Sequence, residues 1–92
     1  MEKQLENLEI LKGYQNRQVV LNYYQDEDFL WKREGFHFKS IKLSTDKLEF
    51  INDESIYIIT LKDFPVYFMI TDFQNYFSLQ NGTDRVEIYF PS

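Results

Sequence analysis

Apolar and aromatic residues recur in short alternating runs, and polar, proline or glycine clusters interrupt them within about ten residues each time. A chain patterned this way builds many short strands joined by tight turns, because a period of two puts one face of each run in a core. Strands are predicted over residues 17–24, 29–33, 36–44, 47–51, 56–61, 66–71, 75–80 and 83–90. Residues 25–28, 52–55 and the Phe64-Pro65 step punctuate them, and Pro65 marks a strand start or an edge because it lacks a backbone donor.

Three local features refine this. Over residues 36–44 the alternation changes phase: Phe36 and Phe38 point one way, while Ile41 and Leu43 point the other. An extra residue near Lys39-Ser40 reconciles them, as a β-bulge that bends the strand. Residues 56–61 are apolar at nearly every position, which predicts a central strand covered on both sides. Asn81-Gly82 between two alternating runs predicts a two-residue type I′ turn, with Leu79 facing Asp84 and Phe77 facing Val86. Phe77, Leu79, Val86, Ile88 and Phe90 then share a core face, and Tyr76, Ser78, Arg85, Glu87 and Tyr89 share the opposite one.

Residues 2–12 carry a different period. Leu5, Leu8 and Leu11 fall three apart among Glu2, Lys3, Glu6, Glu9 and Lys12, which predicts an amphipathic helix stopped by Gly13. The expected fold is mainly β within an α+β class. An N-terminal helix precedes a small antiparallel roll or barrel of six to seven short strands drawn from these runs, and residues 1–92 form a single domain.

Composition narrows the function. Aromatic side chains, nine Phe, seven Tyr and one Trp in 92 residues, exceed what a minimal core needs, so part of them is expected to meet a partner. The formal charge of −5 argues against nucleic-acid binding, which needs a basic patch, and favours a protein partner with a basic surface. Without cysteine the chain has no thiol nucleophile, disulfide or thiolate metal site. No apolar stretch reaches the ~20 residues of a membrane helix, and the charged segment 1–12 does not read as a secretory signal, so a cytoplasmic protein is expected.

The order of elements from Leu5 to Leu61, with a short helix, a strand and a strongly bent second strand, resembles small Sm-like and SH3-like barrels. The segment DKLEFINDESIYIITL, residues 46–61, is similar to their middle hairpin, and also to the core of pleckstrin-homology-type and GRAM-type domains. The resemblance rests on pattern, covers about two thirds of the chain and carries no individual residue over.

No catalytic constellation is legible. His37, the single histidine, has no nucleophile or carboxylate arranged near it in sequence and is expected to sit on a strand with its ring at the surface. Phosphate-cradling glycine motifs are absent, no metal site is expected, and no cofactor is implied. Asn81-Gly82-Thr83 matches a glycosylation sequon but is expected to be a hairpin turn. The acidic run Asp26, Glu27 and Asp28, with Trp31, Tyr76 and Tyr89, is the candidate partner-binding surface. The expected function is therefore a non-catalytic protein-interaction module, of inhibitor or adaptor type and not an enzyme. Its Lys-, Asn-, Ile- and Tyr-rich usage resembles that of low-GC bacterial genomes, whose phages and mobile elements often carry small acidic proteins. The competing expectation is a small-ligand or nucleotide-binding oligomeric barrel assembled through exposed edge strands.

Overall fold

The computed structural model describes residues 1–26 and 28–91. Among the described residues there are nine strands: β1 (Glu2–Leu5), β2 (Arg17–Gln25), β3 (Phe29–Phe38), β4 (Ser40–Leu43), β5 (Lys47–Ile51), β6 (Ile56–Thr60), β7 (Val66–Ile70), β8 (Tyr76–Gln80) and β9 (Arg85–Tyr89). They form two antiparallel sheets, one of six strands in the order β1-β7-β8-β9-β2-β3 and one of three in the order β4-β5-β6. The fold is mainly β, as expected, but the sheets do not close into a barrel.

The phase break at Lys39-Ser40 is the hinge between the sheets. Phe38 ends β3 in the large sheet and Ser40 begins β4 in the small one. Lys39 holds the corner from both sides: its N–H donates to the Ile51 carbonyl at 2.8 Å, and its carbonyl accepts from the Asn16 N–H at 2.9 Å. Phe38 and Ile41 are both buried, which an uninterrupted period of two could not achieve. Gly35, by contrast, interrupts nothing. It sits within a continuous β3 opposite Val20, so the expected break after Arg33 does not exist.

The core lies between the sheets. Val19, Leu21, Val86, Ile88, Phe77 and Leu79 from the large sheet meet Leu48, Phe50 and Ile59 from the small one. Phe90 is its aromatic centre, stacked on Tyr14 at 4.0 Å and edge-on to Phe38 and Phe77 at 5.8 and 6.2 Å. The β8–β9 hairpin supplies five of these side chains on one face, as its alternation predicts. Its register differs from the prediction: Leu79 faces Val86 and Phe77 faces Ile88. Asn81 does not occupy a central turn position. Its Oδ1 accepts from the N–H groups of Thr83 and Asp84, at 3.0 and 2.8 Å, so Gly82 and Thr83 are the central residues. Gly82 has φ +103°, the positive value that a type II′ turn places first.

The expected N-terminal helix is the main correction. Residues 2–5 are instead an edge strand paired with β7, and only Glu9–Gly13 coil, as a 3-10 turn. Spacing of three fits both helix types, since a 3-10 turn also brings i and i+3 to one face. Only Leu8 and Leu11 are fully buried here, whereas Ile10 is exposed. The Asn7 side chain accepts the Glu9 N–H at 3.0 Å, giving the backbone a non-helical alternative. A helix of some eleven residues is marginal by itself in water, while the free edge of β7 offers residues 2–5 a complete ladder.

β6 is the second correction. It is an edge strand rather than a central one. Ile59 is buried and Tyr57 half-buried toward the large sheet, but Ile56 and Ile58 point outward and are 54 % and 47 % exposed.

Candidate functional site

The side of the large sheet facing away from the core carries a connected layer of polar and aromatic side chains. Antiparallel pairing places Asn22, Glu87 and Ser78 side by side across β2, β9 and β8. Tyr24, Arg85 and Gln80 make the next row toward the hairpin turns, and Val20, Tyr89 and Tyr76 the row on the other side. Each is there because its strand alternates, sending every second residue outward.

Glu87 is the hub. One carboxylate oxygen accepts from the Tyr76 hydroxyl, and the other accepts from Arg85 Nε at 2.8 Å. The Arg85 guanidinium lies 4.0 Å from the centre of the Tyr24 ring, a stacked cation–π contact. Burial, and then the hydrogen bond to Glu87, push the Tyr76 hydroxyl well above the usual phenol range, with Arg85 pulling weakly the other way. Asn22 is buried beneath these larger groups and accepts from Arg33 Nε at 2.7 Å, while Ser78 Oγ accepts from Gln80 Nε2 at 3.1 Å. These contacts tie Tyr76, Glu87, Arg85 and Tyr24 into one network and pair Asn22 with Arg33 and Ser78 with Gln80, so the layer is a preorganised surface rather than a collection of mobile side chains.

At one end the layer becomes aromatic. The Tyr76 and Tyr89 rings are cross-strand neighbours at 5.7 Å, and Phe73, 63 % exposed, leans on Tyr76 at 5.4 Å. These rings and the segment Asp72–Asn75 surround an open recess of ≈ 420 Å³. Asn75, with φ 57°, fixes the recess to the core: its Oδ1 accepts from the Tyr14 hydroxyl at 2.9 Å.

The structure divides the residues singled out from the sequence. Tyr76 and Tyr89 come together as a pair. Asp26 and Asp28 lie at the β2–β3 turn, exposed, beyond the Tyr24–Arg85 end of the same face. Asp26 lies six residue steps along the chain from Val20, the strand neighbour of Tyr89, which amounts to about 20 Å at ~3.3 Å per residue. Glu27 lies outside the described residues. Trp31 is not on this face: it is the extra residue where the β2–β3 register shifts, and its ring tilts against Tyr23, a side chain that points toward the small sheet. His37 is an exposed residue of β3. Among the described residues no group of three His, Asp or Glu side chains stands close enough to hold a metal ion.

Sequence reasoning placed Arg85 and Glu87 on this face but did not mark them as its hub. Their spacing of two within one strand, opposite Tyr24 and Ser78, was the available signal. Phe73 lies between strands, where periodicity carries no information. No family model, no curated protein and no solved structure matches this chain. None of the helices is long and apolar enough to cross a membrane, among the described residues.

Proposed function

We propose that the chain is a non-catalytic protein-interaction module whose contact surface is the outer face of the large sheet. The observation that carries it is the row Phe73, Tyr76 and Tyr89 around an open recess, backed by the Tyr76–Glu87–Arg85–Tyr24 network. Rigid aromatic side chains held by a paired polar layer lose little conformational freedom on binding, and such residues dominate interface energetics. Both Glu87 oxygens are engaged by donors of the protein itself, which suits a structural hub better than an acid or base. The acidic turn at the far end of the face, and the net charge of −5, favour a partner with a basic surface.

The test is affinity capture from host lysate with tagged wild-type chain beside Tyr89→Ala and Phe73→Ala. Both substitutions fall on exposed or half-exposed rings outside the core. The proposal expects a protein retained by wild type at moderate salt and lost by both variants. Equal capture by all three chains would overturn it.

A further inference from the structure

Among the described residues, four strands lie at sheet edges: β1 and β3 in the large sheet, β4 and β6 in the small one. Three carry charged residues, which discourage pairing with another chain: Glu2 and Lys3 in β1, Lys32, Arg33 and Glu34 in β3, Lys42 in β4. β6, with the sequence IYIIT, carries none, and it contains neither proline nor a bulge.

Its free hydrogen-bonding groups can be identified. The Asn52 N–H donates to the Ser55 carbonyl at 2.9 Å, which makes this the closing hydrogen-bonded pair of the β5–β6 hairpin. Along an antiparallel ladder such pairs alternate with non-bonded ones. Tyr57 and Ile59, opposite Phe50 and Leu48, therefore spend their N–H and C=O groups on β5. The N–H and C=O groups of Ile56, Ile58 and Thr60 point to the open edge. The same three residues send their side chains outward, two of them being exposed isoleucines.

We propose that β6 pairs antiparallel with β6 of a second copy, across a two-fold axis at Ile58, merging the two small sheets into one of six strands. This register is self-consistent. Ile58 meets Ile58 of the second copy, Ile56 meets its Thr60, and Thr60 meets its Ile56, so every edge-facing backbone group finds a partner. The outward isoleucines then cover one another. Charge selects the second copy over an unrelated strand. Glu54 lies in the turn just before β6 and Lys62 in the 3-10 turn just after it, so antiparallel pairing puts Glu54 at the end of the dimer strand pair where Lys62 of the second copy lies, and the reverse at the other end. Both residues are exposed, and neither is in an ion pair among the described residues. The like-charge approach at the same ends, Asp53 to Asp63 of the second copy, is moderated by Lys39, whose Nζ reaches both Asp53 oxygens at 2.8 and 2.9 Å. β6 belongs to the other sheet from the Tyr76–Tyr89 face, so the two contacts are independent.

The test is sedimentation equilibrium of the full chain over a wide concentration range, with Ile58→Lys, Glu54→Lys, Lys62→Glu and the charge-exchanged double variant Glu54→Lys/Lys62→Glu. The expected result is a reversible dimer. Ile58→Lys places like charges across the axis and should raise the dissociation constant at least tenfold, with an unchanged thermal midpoint of the monomer confirming that the fold is intact. Each single charge change should weaken the dimer severalfold, and the double variant should restore it. A monomer at every concentration, a dimer indifferent to Ile58→Lys, single variants that the double does not rescue, or a species growing beyond the dimer would each overturn the proposal.

Discussion

The hydroxyl oxygens of Tyr23 and Tyr57 lie 2.7 Å apart, and this hydrogen bond joins the large sheet to the small one, two sheets that share no strand ladder. Lys32 Nζ sits over both rings, at 5.1 and 5.8 Å, and Phe36 stacks on Tyr57 at 5.0 Å. Tyr23→Phe and Tyr57→Phe should each destabilise by about 0.5–1.5 kcal/mol. Because the two hydroxyls serve each other, the double variant should lose less than the sum. Chemical denaturation of the four proteins as a double-mutant cycle measures this coupling, and strict additivity would refute it.

The tyrosines also set an alkaline limit. Burial first, then the bond to Tyr57, raise the Tyr23 hydroxyl far above its ordinary value of 10.0, and burial with the bond to Glu87 does the same for Tyr76. Tyr14 is raised as well, through burial, against a smaller opposing effect of Arg17. A phenol raised in the folded state binds its proton more tightly there than when unfolded. Its stabilising contribution is complete below pH ~10 and is lost as pH rises above that value. Stability should thus fall steeply above pH 10. In a spectrophotometric titration, part of the tyrosine signal should appear only with unfolding. Reversible titration of all seven tyrosines near pH 10 in a folded chain would contradict this.

Phe90 is fully buried at the junction of Tyr14, Phe38, Phe50 and Phe77. Phe90→Ala should cost about 3–5 kcal/mol, the usual effect of a large cavity in a core. For a domain of this size that is a large share of the total stability. Thermal unfolding will show a sharply lowered midpoint or no cooperative transition, and a loss below ~1 kcal/mol would contradict the packing described.

Two glycines should respond oppositely to alanine. Gly82 holds φ +103°, which an L side chain rarely adopts, so Gly82→Ala should destabilise by about 1 kcal/mol or more. Gly35 lies in β3 at ordinary φ, and an added Cβ would meet only the Val19 carbonyl oxygen at 4.0 Å. Gly35→Ala should be neutral or stabilising by up to ~1 kcal/mol. Denaturation midpoints of the two variants decide the matter, and a reversed order would be wrong for this backbone.

The strands were legible where a single period of two governed them. The hairpin of β8 and β9 shows why: the turn was read one position early in each strand, yet the residue faces survived, because that error preserves parity. The hinge at Lys39 was visible as a phase change, but alternation alone cannot tell a bulge from a passage between sheets. The run of apolar residues in β6 was misread because periodicity reports which residues are apolar, not what covers them. The N-terminal segment failed through competition: leucines three apart suit a helix or a 3-10 turn, and the deciding factor was a β7 edge more than sixty residues away. Tyr76 and Tyr89 were found because they share one face of the β8–β9 hairpin, whereas their distance from Asp26 and Asp28 depends on sheet order, which local pattern does not encode.

We propose the Tyr76–Tyr89 end of the outer face as the partner contact. The direct measurement is titration of a captured partner against wild type, Tyr89→Ala and the charge-reversed turn variant Asp26→Lys/Asp28→Lys, at low and moderate salt. Tyr89→Ala should weaken binding at least tenfold at both salt concentrations. The turn variant should act chiefly at low salt, where exposed charges are least screened. Binding unaffected by Tyr89→Ala, with the turn variant alone abolishing it, would contradict this placement and move the contact to the acidic end of the sheet.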